Sequence, residues 1–476
     1  MPTSKQRNKA IKLLAALSLA GCAKAPVGAI APQTAPVPDL GAASAPRVRG
    51  SVLVRLRDGA GPQRTLKTLG VLRATGMPRV SVARTLPGES EETAAARLMK
   101  DPAVAYAEPN YIYRAIGTSG RTAADRVAEA AGRSAQSIRP GVRPRYMPND
   151  PRLAELWGFQ RIHATEAWDR TGGDSAVKVA VIDTGVDYRH EDLSDGRVIK
   201  GGNFADRTDD PMDDMGHGSH VAGTVGATAD NARGVAGVAY KSTILAVKVL
   251  GKDGSGTVEG IAEGITKSVE MGARVINMSL GGPQSSQTLE EAVGAARKAG
   301  VIVVAAAGND GNQDNTYPAA YPGVLAVGAT DQQDSRARFS NYGPFVKIAA
   351  PGVDILSSAE GTYKVHSGTS MASPHVAGAI AVLVARKPDL TQEQATKLLQ
   401  DSGEPTTGFA TPGIRRINLA RALDLLDGKT LEPLPEPPPQ APTPDPGYPG
   451  WPDPGQIFPW PMHDAAYEPY SSTGTR

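Results

Sequence analysis

Short, continuous apolar runs alternate with helical stretches between residues 146 and 426. A strand that is apolar along its whole length must be covered on both faces, and strands joined through helices pair in parallel. This pattern predicts an α/β fold, with a doubly wound, mainly parallel sheet and helices on both of its faces. The predicted strands are Val177–Ile182, Ile244–Leu250, Val275–Leu280, Val301–Ala306 and Val324–Val327, and the predicted helices are Val258–Met271 and Leu289–Lys298.

Three motifs fall at the ends of elements in this region. Asp183 directly follows an apolar strand, His217 lies in the glycine-rich segment 216–224, and Ser370 lies at the start of a long apolar helix in 368–378. Each residue also has a structural interpretation when taken singly. Asp183 could be a turn residue, His217 a structural histidine and Ser370 a helix N-cap. Together they supply the nucleophile, the base and the orienting carboxylate that activate an alcohol at neutral pH.

With these motifs, residues 146–427 resemble peptidases of the subtilisin family, whose triad has the same chain order. Further matching motifs are Val249–Gly256, Asn277–Gly282 and Ala305–Asn309, and the opening Tyr146–Pro151 resembles the thermitase branch. The resemblance implies a serine endopeptidase that forms an acyl-enzyme on Ser370. A non-catalytic binding protein on the same scaffold and an esterase-type acyl hydrolase are the alternatives, and active-site titration or ester substrates would separate them.

The resemblance also implies a role for each motif residue. Ser370 would attack the scissile carbonyl, His217 would accept and return the proton, and Asp183 would orient the imidazole. The side-chain amide of Asn309 and the backbone N–H of Ser370 would donate to the oxyanion. Asn309 has a second reading as a turn residue after Gly308.

Substrate contacts are implied at two segments that would pair with an extended peptide on either side. These segments contain Ser255, Gly256 and Thr257, and Ser279, Leu280 and Gly281. Ala306, Ala307 and Gly308 would line a roomy primary pocket, which suggests large apolar side chains before the cut. Asp310 at the rim would also admit Lys or Arg, so the preference stays open.

A structural calcium site is implied by three oxygen-bearing side chains, Asp150, Asp192 and Asn231. Hard oxygen ligands from separate segments suit Ca²⁺. Backbone carbonyls would come from around Ala229, Arg233 and Val235. The alternative reading is an acidic surface.

A second calcium loop of the thermitase branch coincides with an aspartate cluster that precedes His217. Its members are Asp206, Asp209, Asp210, Asp213 and Asp214. Thr208 and Met212 occupy positions where relatives have oxygen ligands. The sequence therefore does not decide between a second calcium site and none.

Residues 48–115 predict a small α+β domain. Its predicted strands are Val52–Leu56, Val80–Thr85 and Val104–Tyr111, and its predicted helices are Arg64–Leu69 and Glu91–Lys100. It resembles the propeptide of this family, which implies a folding template and an intramolecular inhibitor whose tail lies in the substrate groove. Residues 116–145 have the composition of a linker, with the processing site expected within 116–147.

The N-terminus predicts an export signal over residues 1–21, because basic residues precede an apolar run, Leu13–Ala20, that is too short to span a bilayer. The end at Cys22, the sole cysteine, resembles a bacterial lipobox and implies a lipid anchor; an ordinary signal peptide with an incidental cysteine is the alternative. Residues 22–47 predict a flexible spacer, and 428–476 a Pro-rich tail.

The amino-acid composition limits the classes of partner and metal site that are expected. The chain has 51 basic and 49 acidic residues, which gives no reason to expect nucleic acid. One cysteine excludes an intramolecular disulfide and a multi-cysteine metal site. The expected partners are polypeptide substrates and the chain's own propeptide, with membrane contact only through a lipid anchor. The enzyme is expected outside the cell or at the cell envelope.

Overall fold

The computed structural model describes residues 45–59, 71–116 and 145–434. Several predicted features therefore lie outside the described residues. They are the export signal with Cys22, the spacer up to residue 44, the helix Arg64–Leu69, most of the linker and most of the Pro-rich tail. No helix within the described ranges is long and apolar enough to cross a membrane.

The smaller unit is an antiparallel sheet with one helix packed against it. Its elements are β1 (Arg47–Leu56), β2 (Val71–Ala74), β3 (Val80–Arg84), α1 (Glu91–Leu98) and β4 (Val104–Ala115), with strand order β4-β1-β3-β2. Ser90 caps α1 by accepting the N–H of Thr93. Leu98 of this helix is buried in a cluster with Val52 and Val54 of β1. The α+β prediction agrees with this arrangement.

Nine strands of the described residues form the central sheet. They are β5 (Lys178–Asp183), β6 (Val198–Asn203), β7 (Thr243–Lys248), β9 (Val275–Met278), β11 (Ile302–Ala306), β12 (Leu325–Thr330), β13 (Val346–Pro351), β16 (Glu404–Pro405) and β17 (Arg415–Arg416). Their order across the sheet is β16-β17-β13-β12-β11-β9-β5-β7-β6. Every neighbouring pair is parallel except β16 with β17. The predicted fold class is confirmed.

Helices cover both faces of this sheet, and the alternation of side chains along β5 shows how. Val179 and Val181 belong to one buried cluster, whereas Ala180 and Ile182 belong to the other, because successive side chains of a strand point to opposite faces. The helices are α2 (Trp157–Arg161), α3 (Ala164–Trp168), α4 (His217–Gly226), α5 (Val258–Glu270), α6 (Gln287–Lys298), α7 (Thr369–Arg386), α8 (Gln392–Ser402) and α9 (Leu419–Leu426). The first cluster contains α4 and α7, and the second contains α5 and α6.

Four further short strands among the described residues of the larger unit lie outside the central sheet. β8 (Ser255–Thr257) and β10 (Leu280–Gly281) each pair antiparallel with β4, while β14 (Ile355–Ala359) and β15 (Thr362–His366) form a hairpin. The end of β4 therefore lies between two edges of the larger unit.

A buried arginine ties the C-terminal strands to the rest of the domain. The guanidinium of Arg416 is 1% exposed and contacts Asp334 and Glu404, each at 2.5 Å. Burial alone raises the pKa of Glu404, but the hydrogen bond from His163 and the charge of Arg416 hold it well below its usual range. Removal of the cation would leave two largely buried carboxylates without this partner.

We expect Arg416→Met to lower the free energy of unfolding by about 3–5 kcal/mol, as when one partner of a buried ion pair is removed. Arg386 is a matched control, since it is 45% exposed and pairs with Asp427 at 3.0 Å. Arg386→Met should cost less than about 1 kcal/mol. Denaturant titration of both variants measures the difference, and equal costs would contradict the prediction.

Candidate active site

Asp183 and His217 meet at the carboxyl edge of the central sheet. Asp183 ends β5, His217 begins α4, and Asp183 Oδ1 lies 2.7 Å from His217 Nδ1. Both side chains are buried. Burial lowers the pKa of His217, but the charge of Asp183 and its hydrogen bond outweigh this and raise the pKa. The carboxylate holds the proton on Nδ1, so that Nε2 is the nitrogen able to accept one.

Ser370 is in the first turn of α7. Its Oγ lies 2.9 Å from the carbonyl oxygen of Ile116 and 3.0 Å from that of Ser279. No residue in the described part of the chain hydrogen-bonds His217 Nε2. The hydroxyl is therefore directed at carbonyl oxygens of the groove and not at the imidazole.

A proline in α7 explains how Ser370 and Ser279 are held together. Pro374 lies four residues after Ser370 and has no N–H to donate to the Ser370 carbonyl. Ser279 Oγ donates to that carbonyl instead, at 3.0 Å. This bond fixes the backbone around Ser370 to the segment that precedes β10.

Asn309 faces the same carbonyl oxygen as Ser370. Its Oδ1 accepts the backbone N–H and the hydroxyl of Thr369, both at 2.9 Å, so the donor end of the amide is turned to the other side. Asn309 Nδ2 lies 3.4 Å from the carbonyl oxygen of Ile116. Ser370 follows Thr369 at the helix start, where backbone N–H groups have no acceptor within the helix.

Gly308 lets the chain approach this site closely. It has φ of 111°, and a Cβ there would lie 2.3 Å from Asn341 Nδ2 and 2.6 Å from Thr316 Oγ1. Its N–H donates to Thr369 Oγ1 at 3.1 Å. Gly308 therefore allows the close packing that holds Asn309 and the start of α7, while Ala306 before it is fully buried at the end of β11.

The end of β4 lies in the predicted substrate groove. The register pairs Ile112 with Thr257, Tyr113 with Gly256, Arg114 with Ser255 and Gly281, and Ala115 with Leu280. The N–H of Ile116 donates to the Ser279 carbonyl at 3.2 Å. The structure thus brings the six residues of the two predicted groove segments to one extended segment. Ile116, predicted to be the first linker residue, instead continues this segment.

Two side chains of the segment are buried in the larger unit. Tyr113 is 1% exposed, and its hydroxyl donates to the Gln284 carbonyl. A Cβ on Gly282 would lie 2.6 Å from the Tyr113 ring, so only glycine leaves room for it. Ile116 is 8% exposed and lies against Gly281.

The β4 segment is also held by polar contacts to two helix starts. Glu108 accepts from the Ser286 hydroxyl at 2.7 Å and from the N–H groups of Gln287 and Thr288 at 2.9 Å. Asn110 Oδ1 accepts the N–H of Glu259 in the first turn of α5, at 3.3 Å. A carboxylate at the start of α6 is favourable because the first N–H groups of a helix are unpaired and carry partial positive charge.

The predicted calcium ligands are close together. Asp150 Oδ2 accepts the N–H of Asp230 at 2.8 Å, and Asp192 accepts from Asn231 Nδ2 and the Val235 N–H, both at 2.9 Å. Both carboxylates are buried, and burial, followed by the charge of Asp192, raises the pKa of Asp150. The donors in these bonds are uncharged amide groups, so the bonds do not neutralise the negative charge of the two buried carboxylates. Carboxylate oxygens are ligands that Ca²⁺ prefers.

The orientation of Asn231 differs from the prediction. Its Nδ2 faces Asp192, and its Oδ1 accepts the N–H of Arg233 at 2.8 Å. The amide would have to rotate for its oxygen to act as a ligand. Within the described residues, no three His, Cys, Asp or Glu side chains are placed to hold a metal ion, so any cation here would also need amide and carbonyl oxygens.

Four of the five aspartates before His217 accept hydrogen bonds from protein groups. Asp206 accepts from Asn203, Asp210 from Tyr188 and Lys200, and Asp214 from Lys248. Asp213 accepts from Thr184, Met215, Gly216 and Ser219. This arrangement gives no support to a second calcium ion.

Comparison with known proteins agrees with this geometry. The sequence profile of the subtilase family matches residues 174–417. The chain belongs to the subtilase family. The profile of the fervidolysin N-terminal prodomain matches residues 35–110 of this subtilase. It is a serine endopeptidase with an autoprocessing prodomain.

Relatives place this subtilase in the thermitase-like branch. It is 43% identical over 345 residues to a thermophilic serine proteinase of Bacillus sp. (strain AK1), covering 71% of this chain and 79% of that protein. It is 42% identical over 281 residues to thermitase of Thermoactinomyces vulgaris, covering 58% of this chain and 99% of that protein. Fervidolysin from Fervidobacterium pennivorans has a similar structure, with a TM-score of 0.68 and 29% identity over 82% of this chain and 62% of its own.

Sequence reasoning missed Ile116 and Thr184 in this subtilase, and it placed Asp213 in a candidate calcium cluster without foreseeing its contacts with Thr184 and Ser219. Ile116 is an aliphatic residue outside every motif, so only its contact with Ser370 in the structure identifies it. Thr184 directly follows Asp183, and Asp213 precedes the start of α4 by four residues. An acidic residue near a helix start is a recognised capping signal, so Asp213 could have been found.

Proposed function

We propose that this subtilase cleaves its own chain at the Ile116–Gly117 bond and then cleaves other polypeptides at the same site. The observation that carries the proposal is the 2.9 Å distance between Ser370 Oγ and the carbonyl oxygen of Ile116. The pairing of β4 with both β8 and β10 supports it, because the segment is held as an extended substrate would be.

In the proposed reaction, Ser370 Oγ attacks the carbonyl carbon of Ile116 as His217 Nε2 takes the hydroxyl proton. The oxygen that becomes negative is the one faced by Asn309 Nδ2. The Ile116–Gly117 bond breaks when His217 gives its proton to the Gly117 nitrogen. An ester of Ile116 on Ser370 remains. Water, deprotonated by His217, attacks this ester, and the ester breaks to a free carboxylate as His217 returns the proton to Ser370 Oγ.

The proposed domain organisation follows from this bond. Residues 48–116 form the prodomain, residues 117–145 the linker and residues 146–427 the catalytic domain. After cleavage, β4 keeps its pairing with β8 and β10 and its contacts through Glu108 and Asn110. The cleaved prodomain is therefore expected to stay bound as an inhibitor until it is digested or displaced.

We expect purified Ser370→Ala protein to accumulate as an uncut precursor, because the attacking oxygen is lost. Ser367→Ala is the matched control, since Ser367 Oγ accepts the Asp354 N–H at 2.8 Å and is not in the proposed machinery. The control should mature like the wild type, with a new N-terminus at Gly117 by mass spectrometry. Normal processing of Ser370→Ala, free of other proteases, would contradict the role of Ser370. A mature N-terminus that begins elsewhere would contradict the proposed bond.

We also propose that Ca²⁺ stabilises the enzyme at Asp150, Asp192 and Asn231, with carbonyls around Arg233 and Val235. Both carboxylates are buried and accept hydrogen bonds from uncharged donors, including the Tyr363 hydroxyl on Asp192, and this supports the proposal. The ion would neutralise their repulsion and join the segment at Asn149 to the loop 229–235, which already exchange hydrogen bonds. None of these residues belongs to the proposed triad, so the role is structural.

The thermal midpoint of the Ser370→Ala precursor should rise with calcium, because an ion that binds only the native state adds about 2.7 kcal/mol at 100 times its Kd. The inactive variant prevents self-digestion during the measurement. Asp192→Asn should remove most of the response, whereas Asp195→Asn, in the adjacent turn with Arg197, should keep it. Identical melting curves in EDTA and millimolar calcium would exclude the site.

Export and lipid anchoring are proposals that rest on residues 1–22 alone. Cys22 would carry the lipid, and cleavage after Ile116 would separate the catalytic domain from that anchor. The mature enzyme would then remain at the membrane only while the prodomain stays bound. More than one acyl chain is needed for stable anchoring, as a bacterial lipoprotein cysteine would provide.

The Ser370→Ala precursor is expected in the membrane fraction and labelled by radioactive fatty acid, whereas mature wild-type enzyme that has lost its prodomain should be soluble. Cys22→Ser should abolish the label, and Ser18→Ala, four residues earlier, should keep it. An unlabelled precursor in the soluble fraction would show that the chain is simply exported.

A further inference from the structure

The carboxylate of Asp213, beside the proposed triad, accepts five hydrogen bonds. Oδ1 accepts the Thr184 hydroxyl at 2.9 Å and the N–H groups of Met215 and Gly216 at 3.0 and 2.9 Å. Oδ2 accepts the N–H and the hydroxyl of Ser219 at 2.8 and 2.6 Å. These five groups, from four residues, are all donors, so a carboxylate satisfies each of them.

These bonds connect the turn after β5 to the start of α4. Thr184 N–H donates to Asp183 Oδ1 at 2.7 Å, and Thr184 Oγ1 accepts the N–H of Gly218 at 2.8 Å. Gly218 follows His217 directly. Thr184 therefore links Asp183 to the helix turn that carries His217, and Asp213 fixes the orientation of the Thr184 hydroxyl.

The turn and the helix are also packed without spare room. A Cβ on Gly218 would lie 2.1 Å from the Gly185 carbonyl oxygen, and one on Gly185 would lie 2.3 Å from the Pro211 carbonyl oxygen. Any rotation of the helix start would therefore displace the turn. The hydrogen bonds of Thr184 with Asp213 and with Gly218 close this contact.

We infer that Asp213 is a positioning residue for the proposed triad, which sets the Asp183–His217 hydrogen bond through Thr184 and the first turn of α4. This inference rests on the proposed function of His217. Asp213 itself touches neither the substrate segment nor the reacting atoms in any of its hydrogen bonds.

The charge of Asp213 has a second effect. A carboxylate near a helix start opposes the positive end of the helix dipole, which would otherwise disfavour a protonated His217. Burial lowers the pKa of His217, and Asp183 and then Asp213 raise it. The other groups around His217 are His220, whose pKa burial lowers well below normal, and the paired Lys248 and Asp214. Loss of the Asp213 charge should therefore lower the pKa of His217.

Asp213→Asn keeps the shape but presents an NH₂ group to neighbours that are all donors. We expect kcat per titrated active site to fall about 10- to 100-fold, as for a small misplacement of catalytic groups, with KM changed less than about twofold. The acidic limb of the kcat/KM profile should move to lower pH. Asp210→Asn is the matched control, since Asp210 lies in the same loop, is 53% exposed and pairs with Lys200.

Thr184→Val provides the second arm, because it removes the hydroxyl that joins Asp213 to Gly218. It should lower kcat without moving the acidic limb as far, and its effect should not add to that of Asp213→Asn. A stable, normally titrated Asp213→Asn enzyme with unchanged kcat and pH profile would overturn the inference. So would additive losses in the double variant, or failure to fold of Asp213→Asn together with full activity of Thr184→Val. His217→Ala tests the proposed function separately. Full activity of this variant would reject the triad itself and not only the positioning role of Asp213.

Discussion

The parallel pairing of β5, β9 and β11 brings three strand ends to one edge of the central sheet, and the proposed chemistry depends on that edge. Asp183 ends β5, Ser279 follows β9 directly, and Asn309 follows β11 after a short turn. The two helices that carry His217 and Ser370 begin at the same edge and lie against one face. A buried parallel sheet cannot shift its register without exposing apolar residues, so the positions of these groups are fixed by the core.

The site is assembled by backbone N–H and C=O groups that have no hydrogen-bond partner within their own helix. Pro374 frees the Ser370 carbonyl, which Ser279 then satisfies. Thr369 at the start of α7 donates to Asn309, and this turns the donor end of the amide towards the carbonyl of Ile116. Each unsatisfied group of a helix start or a proline thus becomes a contact that orients a functional side chain.

The prodomain uses the same groove for two purposes. Its strand is paired on both sides, and Tyr113 and Ile116 are buried in the larger unit, which favours tight binding. The same register places the carbonyl of Ile116 at Ser370, which favours cleavage. In the proposed function, a segment held in this way is both an inhibitor and a first substrate, and the register of β4 selects the bond that is cut.

The sequence by itself determined the fold class, the four motif residues and the two groove segments. Continuous apolar strands require cover on both faces, and nucleophile, base and carboxylate are recognisable by residue type in a fixed order. Only the tertiary structure decided which carbonyl group faces Ser370, how Asn231 is oriented and which groups Asp213 contacts. Those answers depend on the pairing register of β4 and on hydrogen bonds between segments up to 254 residues apart, and no local pattern in a sequence specifies the distance between such segments.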